Sequence, residues 1–262
     1  MTRFFLITLT VAAGIAAAPS EAQIAQMNAK VRSAHEPFRA VWTDAFRASG
    51  KAYAAPALRP YRTRIQTPCG VAGPGNALYC AAANAIFYEE SFLAEQMLAV
   101  ASSTHGDGDY APITILAHEL GHAADYWLNR AALGAGAAPP EYGREAKADC
   151  FAGAITRRAE QMRLLSPGDV QEAWAVLERG GDPTLSGAPS HGSASQRVQN
   201  FQQGYQKGAQ ACDPRVNTAL KEPGSGWNWE NRTFREMMES RPGELFRKGP
   251  REPFELPKPK SK

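Results

Sequence analysis

The stretch of this chain best suited to do chemistry is His118-Glu119-Leu120-Gly121-His122. Residues four apart lie on the same face of a helix, so His118 and His122 can both present an imidazole nitrogen to one metal ion. Glu119 lies about 100° further round the helix than His118, which sets its carboxylate beside the ion as a proton acceptor for water. The spacing predicts metal-assisted hydrolysis. The alternative is a structural helix that happens to carry two histidines.

Two further carboxylates follow at helical spacing. Glu145 and Asp149 are four residues apart, and Glu145 comes 23 residues after His122, which leaves room for one helix to end and another to return. We expect Glu145 to be the third metal ligand and Asp149 to accept the second ring N–H of a ligand histidine. The alternative is an exposed helix face that pairs with Arg144 and Lys147.

The predicted donor set is two imidazoles and one carboxylate around a single ion. This set suits one Zn²⁺ ion, with an open position left for chemistry. The same donors also accept other transition metals, so zinc is the expected ion rather than the sole candidate.

The chain begins with features of an export signal. Arg3 precedes an apolar run over 4–18, which is too short to span a bilayer comfortably. We expect residues 1–22 to be a signal peptide that is cleaved before Gln23, with the protein exported to the periplasm or the medium and not stably inserted in the membrane. The alternative is an uncleaved N-terminal anchor.

The four cysteines suit an oxidising compartment. Three pairings are possible. We favour Cys69 with Cys80, which closes a short glycine-rich loop, and Cys150 with Cys212, which joins two distant segments. The alternative for Cys150 is a zinc ligand adjacent to Asp149.

Charge and length limit the remaining classes. The formal net charge is +3 in 262 residues, without a dense basic block before the C-terminal tail, so nucleic acid is not an expected partner. We expect a helical segment over 23–55, a catalytic domain over 56–213 and a tail over 214–262. The tail is rich in proline and charge and is predicted to be largely disordered.

The elements that must position these residues follow from apolar periodicity. The segment over 25–48 is predicted to form one or two helices, broken near Pro37, that pack on the outside of the catalytic core. A hairpin is expected from strands over 78–80 and 85–88. Gly121 inside a helix indicates that another backbone passes close to it. Further helices are predicted to begin near residues 91, 110, 141, 169 and 195.

The chain resembles a bacterial family of neutral zinc metallopeptidases, in the wider group whose third zinc ligand is a glutamate. The resemblance covers about residues 60–213 and rests on four blocks of sequence that occur in the right order. The first block is Cys69-Gly70 with Tyr79-Cys80, and the second is His118 to His122. The third is Glu145-Ala146-Lys147-Ala148-Asp149-Cys150-Phe151-Ala152-Gly153, and the fourth is His191-Gly192-Ser193-Ala194-Ser195-Gln196-Arg197, which leads to Gly204-Tyr205 and Ala211-Cys212-Asp213.

The resemblance implies an α+β, zincin-like domain that hydrolyses peptide bonds in peptide or protein substrates. It implies three zinc ligands, Glu119 as general base, Asp149 behind a ligand histidine, and the two favoured cysteine pairs. The implied ligands are His118, His122 and Glu145. One departure is visible, because the family usually has a histidine and a glutamine where this chain has Ala123 and Asp125.

A later histidine stabilises the oxyanion in related glutamate zincins, and His191 is the remaining histidine in a matching block. We expect His191 to have this role, with capping of the following helix as the alternative. Arg197 and Tyr205 are further possibilities for the same task. Two rival functions stay open, namely a zinc-stabilised binding or chaperone-like protein that does not cleave, and a zinc hydrolase of peptide crosslinks in the cell wall.

Overall fold

The computed structural model describes residues 18–133, 141–181 and 191–216. Within these ranges the chain is α+β, with a helical majority and short strands. The helices are α1 Glu21–Ala48, α2 Glu90–Thr104, α3 Tyr110–Leu133, α4 Glu141–Gln161, α5 Asp169–Arg179 and α6 Ala194–Lys207, and the strands are β1 Ala57–Tyr61, β2 Ile65–Thr67, β3 Gly70–Ala72, β4 Ala77–Cys80 and β5 Ala85–Glu89. None of the described helices is both long and apolar enough to cross a bilayer.

Helix α1 runs without a break through Pro37, so the predicted interruption there is wrong. A proline inside a helix costs a backbone hydrogen bond, but the face beside it buries Phe38, Trp42 and Phe46 almost completely. The Trp42 ring also meets Phe151 of α4 edge to face, with centroids 5.1 Å apart. The helix belongs to the central core, and the expectation that it packs outside is also wrong.

The first turn of α1 bears on the predicted signal peptide. Ser20 caps the helix through a reciprocal pair of hydrogen bonds with Gln23. Residues 1–17 lie outside the described residues, and the predicted cleavage before Gln23 would remove the Ser20 cap. Cleavage there stays a prediction.

The main sheet has the strand order β1-β5-β4. Strands β4 and β5 pair antiparallel, with Tyr79 opposite Ile86, so the predicted hairpin is confirmed. Strand β1 pairs parallel to β5 on the other side, which leaves β4 at an edge of the sheet. Beyond β5 the chain enters α2 directly at Glu90, one residue before the predicted start near residue 91. The Glu89 carboxylate accepts a hydrogen bond from the Gly75 amide and does not cap the helix.

Two disulfides fasten the described part of the chain. They join Cys69 to Cys80 and Cys150 to Cys212, the pairs that the sequence favours. Cys150 is therefore not available as a zinc ligand. Such bonds are typical of proteins in an oxidising, exported compartment.

Helices α3, α4 and α6 pack at very short range because glycines lie where they cross. A Cβ on Gly121 of α3 would lie 2.7 Å from the carbonyl oxygen of Ala148 on α4, so the predicted close backbone is present. Gly153 of α4 and Gly204 of α6 likewise face the backbones of Phe201 and Cys150. Helix α6 begins after a Ser193 cap, two residues before the predicted Ser195, because Gln196 completes a capping box with Ser193.

The described residues extend slightly beyond the predicted end of the catalytic domain at residue 213. Leu133 ends α3, and the glycine-rich connection over 134–140 lies outside the described residues, as do residues 182–190 and 217–262. Val216, three residues beyond the predicted domain boundary, is buried in the core. The predicted disorder of the remaining tail stays a prediction.

Adding a methyl group at the α4–α6 crossing should destabilise the protein. In Gly204→Ala the new Cβ meets the Cys150 carbonyl, so we expect the free energy of unfolding to fall by about 1–3 kcal/mol and the thermal midpoint by roughly 2–12 °C. Gly143→Ala is the matched control, because a Cβ there on α4 meets no atom within 4 Å. Equal midpoints for the two variants in thermal denaturation would contradict this account of the crossing.

Candidate metal centre

Three side chains from α3 and α4 converge on one point. The Nε2 atoms of His118 and His122 are 3.1 Å apart, and the Glu145 carboxylate lies 3.1 Å from His118 Nε2 and 3.3 Å from His122 Nε2. Zinc bonds of 2.0–2.2 Å in tetrahedral geometry separate neighbouring donor atoms by about 3.3–3.6 Å. The donors therefore have the chemistry and very nearly the spacing that zinc requires.

The charges around these atoms favour a bound cation. Burial lowers the pKa of His118, but the carboxylates of Asp149 and Glu145 outweigh it and raise the pKa to about 10. Burial raises the pKa of Glu145, while hydrogen bonds and attraction from the two histidines bring it well below its ordinary value. The carboxylates thus favour a positive charge at this point, and a metal ion would displace protons from the imidazoles.

Asp149 fixes the orientation of His118. Its Oδ1 lies 2.7 Å from His118 Nδ1, and the carboxylate is fully buried. Arg197 of α6 donates to both of its oxygens, at 3.0 Å and 2.8 Å, and also to the carbonyl of Gly180 at 3.1 Å. The buried carboxylate is thereby balanced in charge, and His118 directs Nε2 toward Glu145.

The second histidine has no equivalent support. Among the described residues, His122 Nδ1 is buried without a hydrogen-bond partner. The turn that follows it carries the departures Ala123 and Asp125. Asp125 accepts from Lys147 at 2.8 Å, and Lys147 also reaches Asp213 at 3.2 Å. The altered turn therefore fastens α3 to α4 and to the segment after α6, instead of contacting the donor atoms.

Glu119 connects the metal donors to the sheet. Its carboxylate accepts a hydrogen bond from the backbone N–H of Tyr79, at 2.7 Å, on the edge strand β4. Glu119 also lines a cavity of about 250 Å³ together with His118, His191 and Arg197. The predicted base is thus held beside the metal donors and at the wall of the cavity.

Of the other predicted site residues, His191 and Arg197 line the cavity, whereas Tyr205 lies away from it. His191 Nε2 lies 3.6 Å from a Glu145 oxygen, and its side chain is half exposed. The Arg197 guanidinium lines the cavity, but its hydrogen bonds to Asp149 and Gly180 fit a positioning role better than an oxyanion role. Tyr205 donates its hydroxyl to Glu160 at 2.6 Å and does not contribute to the cavity wall.

Three features of the site were missed by reasoning from the sequence. The pairing of Arg197 with Asp149 was not anticipated, although an arginine one turn before Phe201, on the buried face of an amphipathic helix, is a signal that a buried carboxylate is near. Lys147 was considered only as the partner of an exposed helix face. The main-chain bond from Tyr79 to Glu119 leaves no trace in side-chain type, so no sequence signal could have shown it.

A helix that presents two histidines, crossed by a helix that presents a glutamate, defines the zincin type of metal site. The chain belongs to the family described as "putative neutral zinc metallopeptidase", whose model matches residues 10–214. The family's description suggests a hydrolase of the zinc-peptidase class and implies zinc as the metal.

Relatives in the same family carry no described activity in their names. The uncharacterized protein YpfJ of Escherichia coli strain K12 is 28% identical over 212 residues, which covers 72% of this chain and 70% of YpfJ. The uncharacterized protein Rv2575 of Mycobacterium tuberculosis strain H37Rv is 30% identical over 191 residues, which covers 63% of this chain and 62% of that protein. No solved structure matches the chain.

Removing the charge of Asp149 should weaken metal binding. In Asp149→Asn, His118 loses the carboxylate that holds its Nδ1–H, and we expect zinc affinity to fall by about 10–100-fold. Competition with a chromophoric chelator measures the affinity. Glu160→Gln is the control, because that carboxylate contacts Tyr205 away from the cavity. Unchanged zinc affinity in Asp149→Asn would show that the contact does not support the ligand.

Proposed function

We propose that the protein is a zinc-dependent metallopeptidase that hydrolyses peptide bonds with Glu119 as general base. The observation that carries the proposal is the meeting of three donor side chains, at distances close to those of a tetrahedral zinc site, with a fourth side chain, Glu119, which lines a cavity together with His118. His118, His122 and Glu145 would hold one Zn²⁺ ion. When bound there, zinc supplies a Lewis acid that polarises a carbonyl and makes water more acidic.

The protein groups have distinct roles in this proposal. The Glu119 carboxylate takes a proton from the attacking water and later passes it to the leaving amine. The Tyr79 N–H holds one oxygen of that carboxylate, which fixes its direction. Arg197 holds Asp149, and Asp149 keeps His118 in the tautomer that carries its proton on Nδ1. The unprotonated Nε2 then faces the other donors.

The edge strand favours an extended peptide substrate over a compact one. Strand β4 pairs with β5 along one side only, and Ala77 at its start lines the cavity. Because Glu119 already holds the N–H of Tyr79, a substrate in extended conformation would add to this edge ahead of Tyr79, at Ala77, by main-chain hydrogen bonds, which places its backbone beside Glu119. Peptide or protein chains are therefore the proposed partners, and nucleic acid is not.

We assign oxyanion stabilisation to His191. Its ring lies on the same cavity as Glu119, with Nε2 3.6 Å from Glu145. From this position an imidazole N–H can donate to the negative charge that develops on the carbonyl oxygen.

Export of the protein is part of the proposal. The two disulfides favour an oxidising compartment, and the apolar run over 4–18 supports a cleaved signal peptide. The proposed location is the periplasm or the medium, with no stable insertion in the membrane after cleavage.

Separating metal binding from proton transfer tests the mechanism. We expect His118→Ala to lose zinc, whereas Glu119→Gln should retain zinc and lose about 10²–10⁴-fold in kcat because only the base is removed. Elemental analysis of the purified proteins and digestion of casein give the two measurements. Full casein hydrolysis by Glu119→Gln would overturn the role of Glu119.

The same assay distinguishes the rival functions. A zinc-containing wild-type protein that cleaves neither casein nor peptidoglycan would support a binding or chaperone-like protein. Release of peptides from purified peptidoglycan, without cleavage of casein, would identify a hydrolase of cell-wall crosslinks.

Loss of His191 should slow turnover without removing the metal. For His191→Ala we expect kcat to fall by about 10²–10³-fold with unchanged zinc content, since one oxyanion donor is removed. Tyr205→Phe is the control and should keep the wild-type kcat, because its hydroxyl contacts Glu160 instead of the cavity. Steady-state kinetics on a fluorogenic peptide measures both, and an unaltered kcat in His191→Ala would exclude the histidine from the mechanism.

A further inference from the structure

The lining of the cavity beside Glu119 combines two chemically different groups of side chains, which we call its polar and apolar ends. The polar end is formed by Glu119, His118, His191 and Arg197. The other end is lined by apolar side chains from three helices, which are Phe92 of α2, Ile115 of α3, and Val176 and Leu177 of α5.

The apolar end is held at a fixed position relative to the catalytic groups. Ile115 precedes Glu119 by four residues on α3, so both side chains lie on one helix face. Val176 and Leu177 are almost fully buried, 5% and 3% exposed, and belong to the central core. Because the lining comes from packed helices, its shape is set before any substrate arrives.

The volume suits one side chain. The whole cavity is about 250 Å³, which is below the range of roughly 300–1,000 Å³ that holds drug-sized ligands. Since the polar end must also receive a peptide carbonyl, the space at the apolar end fits the side chain of the adjoining residue.

The polar groups near the apolar end do not favour a positively charged side chain. The hydroxyl of Thr114, which is fully buried, donates to the Tyr110 carbonyl at 2.9 Å and is already used. Gln96 contributes a neutral amide, and Arg179 adds a positive charge at the exposed end of α5. Among the lining residues that the structure describes, the carboxylate is Glu119, which belongs to the polar end. Within this described lining, a lysine or arginine side chain at the apolar end would therefore be desolvated without a partner.

We propose that the apolar end is the specificity pocket of the enzyme and takes an aliphatic or aromatic side chain next to the scissile bond. This inference rests on the proposed peptidase function. The expected order of kcat/KM is leucine, methionine or phenylalanine first, alanine lower, and lysine or arginine last. Loss of several buried methylenes between leucine and alanine corresponds to about 10–100-fold.

Two pocket variants test the assignment. Val176→Phe fills the apolar end and should shift the preference from leucine and phenylalanine toward alanine, by at least about tenfold in the ratio of kcat/KM values. Gln96→Glu places a carboxylate beside the pocket and should raise cleavage next to lysine relative to leucine by at least about tenfold. The controls are Val198→Phe and Gln203→Glu on α6, which make the same changes outside the cavity and should keep the wild-type ratios.

The probes are decapeptides of alanine and glycine in which one residue is varied among leucine, phenylalanine, alanine and lysine. Cleavage is followed by mass spectrometry. Binding is measured separately by fluorescence anisotropy, with labelled peptides and zinc-loaded Glu119→Gln protein, so that the pocket is examined without turnover.

The two measurements separate failure of the pocket from failure of the proposed function. Binding that favours leucine and shifts in Val176→Phe supports the pocket even if the wild-type protein cleaves nothing. Cleavage or binding without side-chain preference would overturn the assignment of the pocket. A preference that Val176→Phe and Gln96→Glu leave unchanged would overturn it too. The peptidase activity is tested separately by the casein assay. Absence of binding to every peptide would overturn the assignment of the pocket as well.

Discussion

An excess of negative charge is concentrated where α3 crosses α4, and the arrangement of the surrounding elements follows from the need to balance it. Asp149 is fully buried there and Glu145 is mostly buried. Carboxylates in such a position are costly unless cations or hydrogen-bond donors face them. Arg197 neutralises one carboxylate permanently, whereas the other faces two imidazoles. The unequal balance explains why a candidate cation site lies at one side of the crossing and a structural ion pair at the other.

Short distances between helix axes make this balance possible. Gly121 lets α3 approach the backbone of Ala148, and Gly153 and Gly204 do the same for α4 and α6. Larger residues at these crossings would push the helices apart and so lengthen the contacts of Arg197 with Asp149 and of the histidines with Glu145. The glycines thus belong to the metal site in a physical sense, although none contributes a donor atom.

The sequence predicts those parts of the site that depend on spacing within one helix. His118, Glu119 and His122 follow from a single turn, and the start of α3 at Tyr110 was correctly expected. The pair Glu145 and Asp149 was placed on one face by the same rule and supported by the resemblance. The element ends were less reliable, because α2 follows β5 directly at Glu90 without a side-chain cap, and the capping box of Ser193 and Gln196 starts α6 ahead of residue 195.

Features that depend on tertiary geometry could not be obtained in this way. The continuous α1 survives Pro37 because Trp42 is held against Phe151, an aromatic contact between residues more than a hundred positions apart. The apolar end of the cavity joins Phe92, Ile115 and Leu177 from three helices, and no local pattern relates them.

The fastening of the last described segment has a consequence for the order in which the candidate site forms. Cys212 is bonded to Cys150, and Asp213 holds Lys147, so α4 is secured from behind by residues that leave the ribosome after nearly everything else described in the fold. The donor cluster is therefore completed late. Until Cys212 has been synthesised and has met an oxidant, α4 lacks this brace, and Glu145 is held less firmly opposite the histidines.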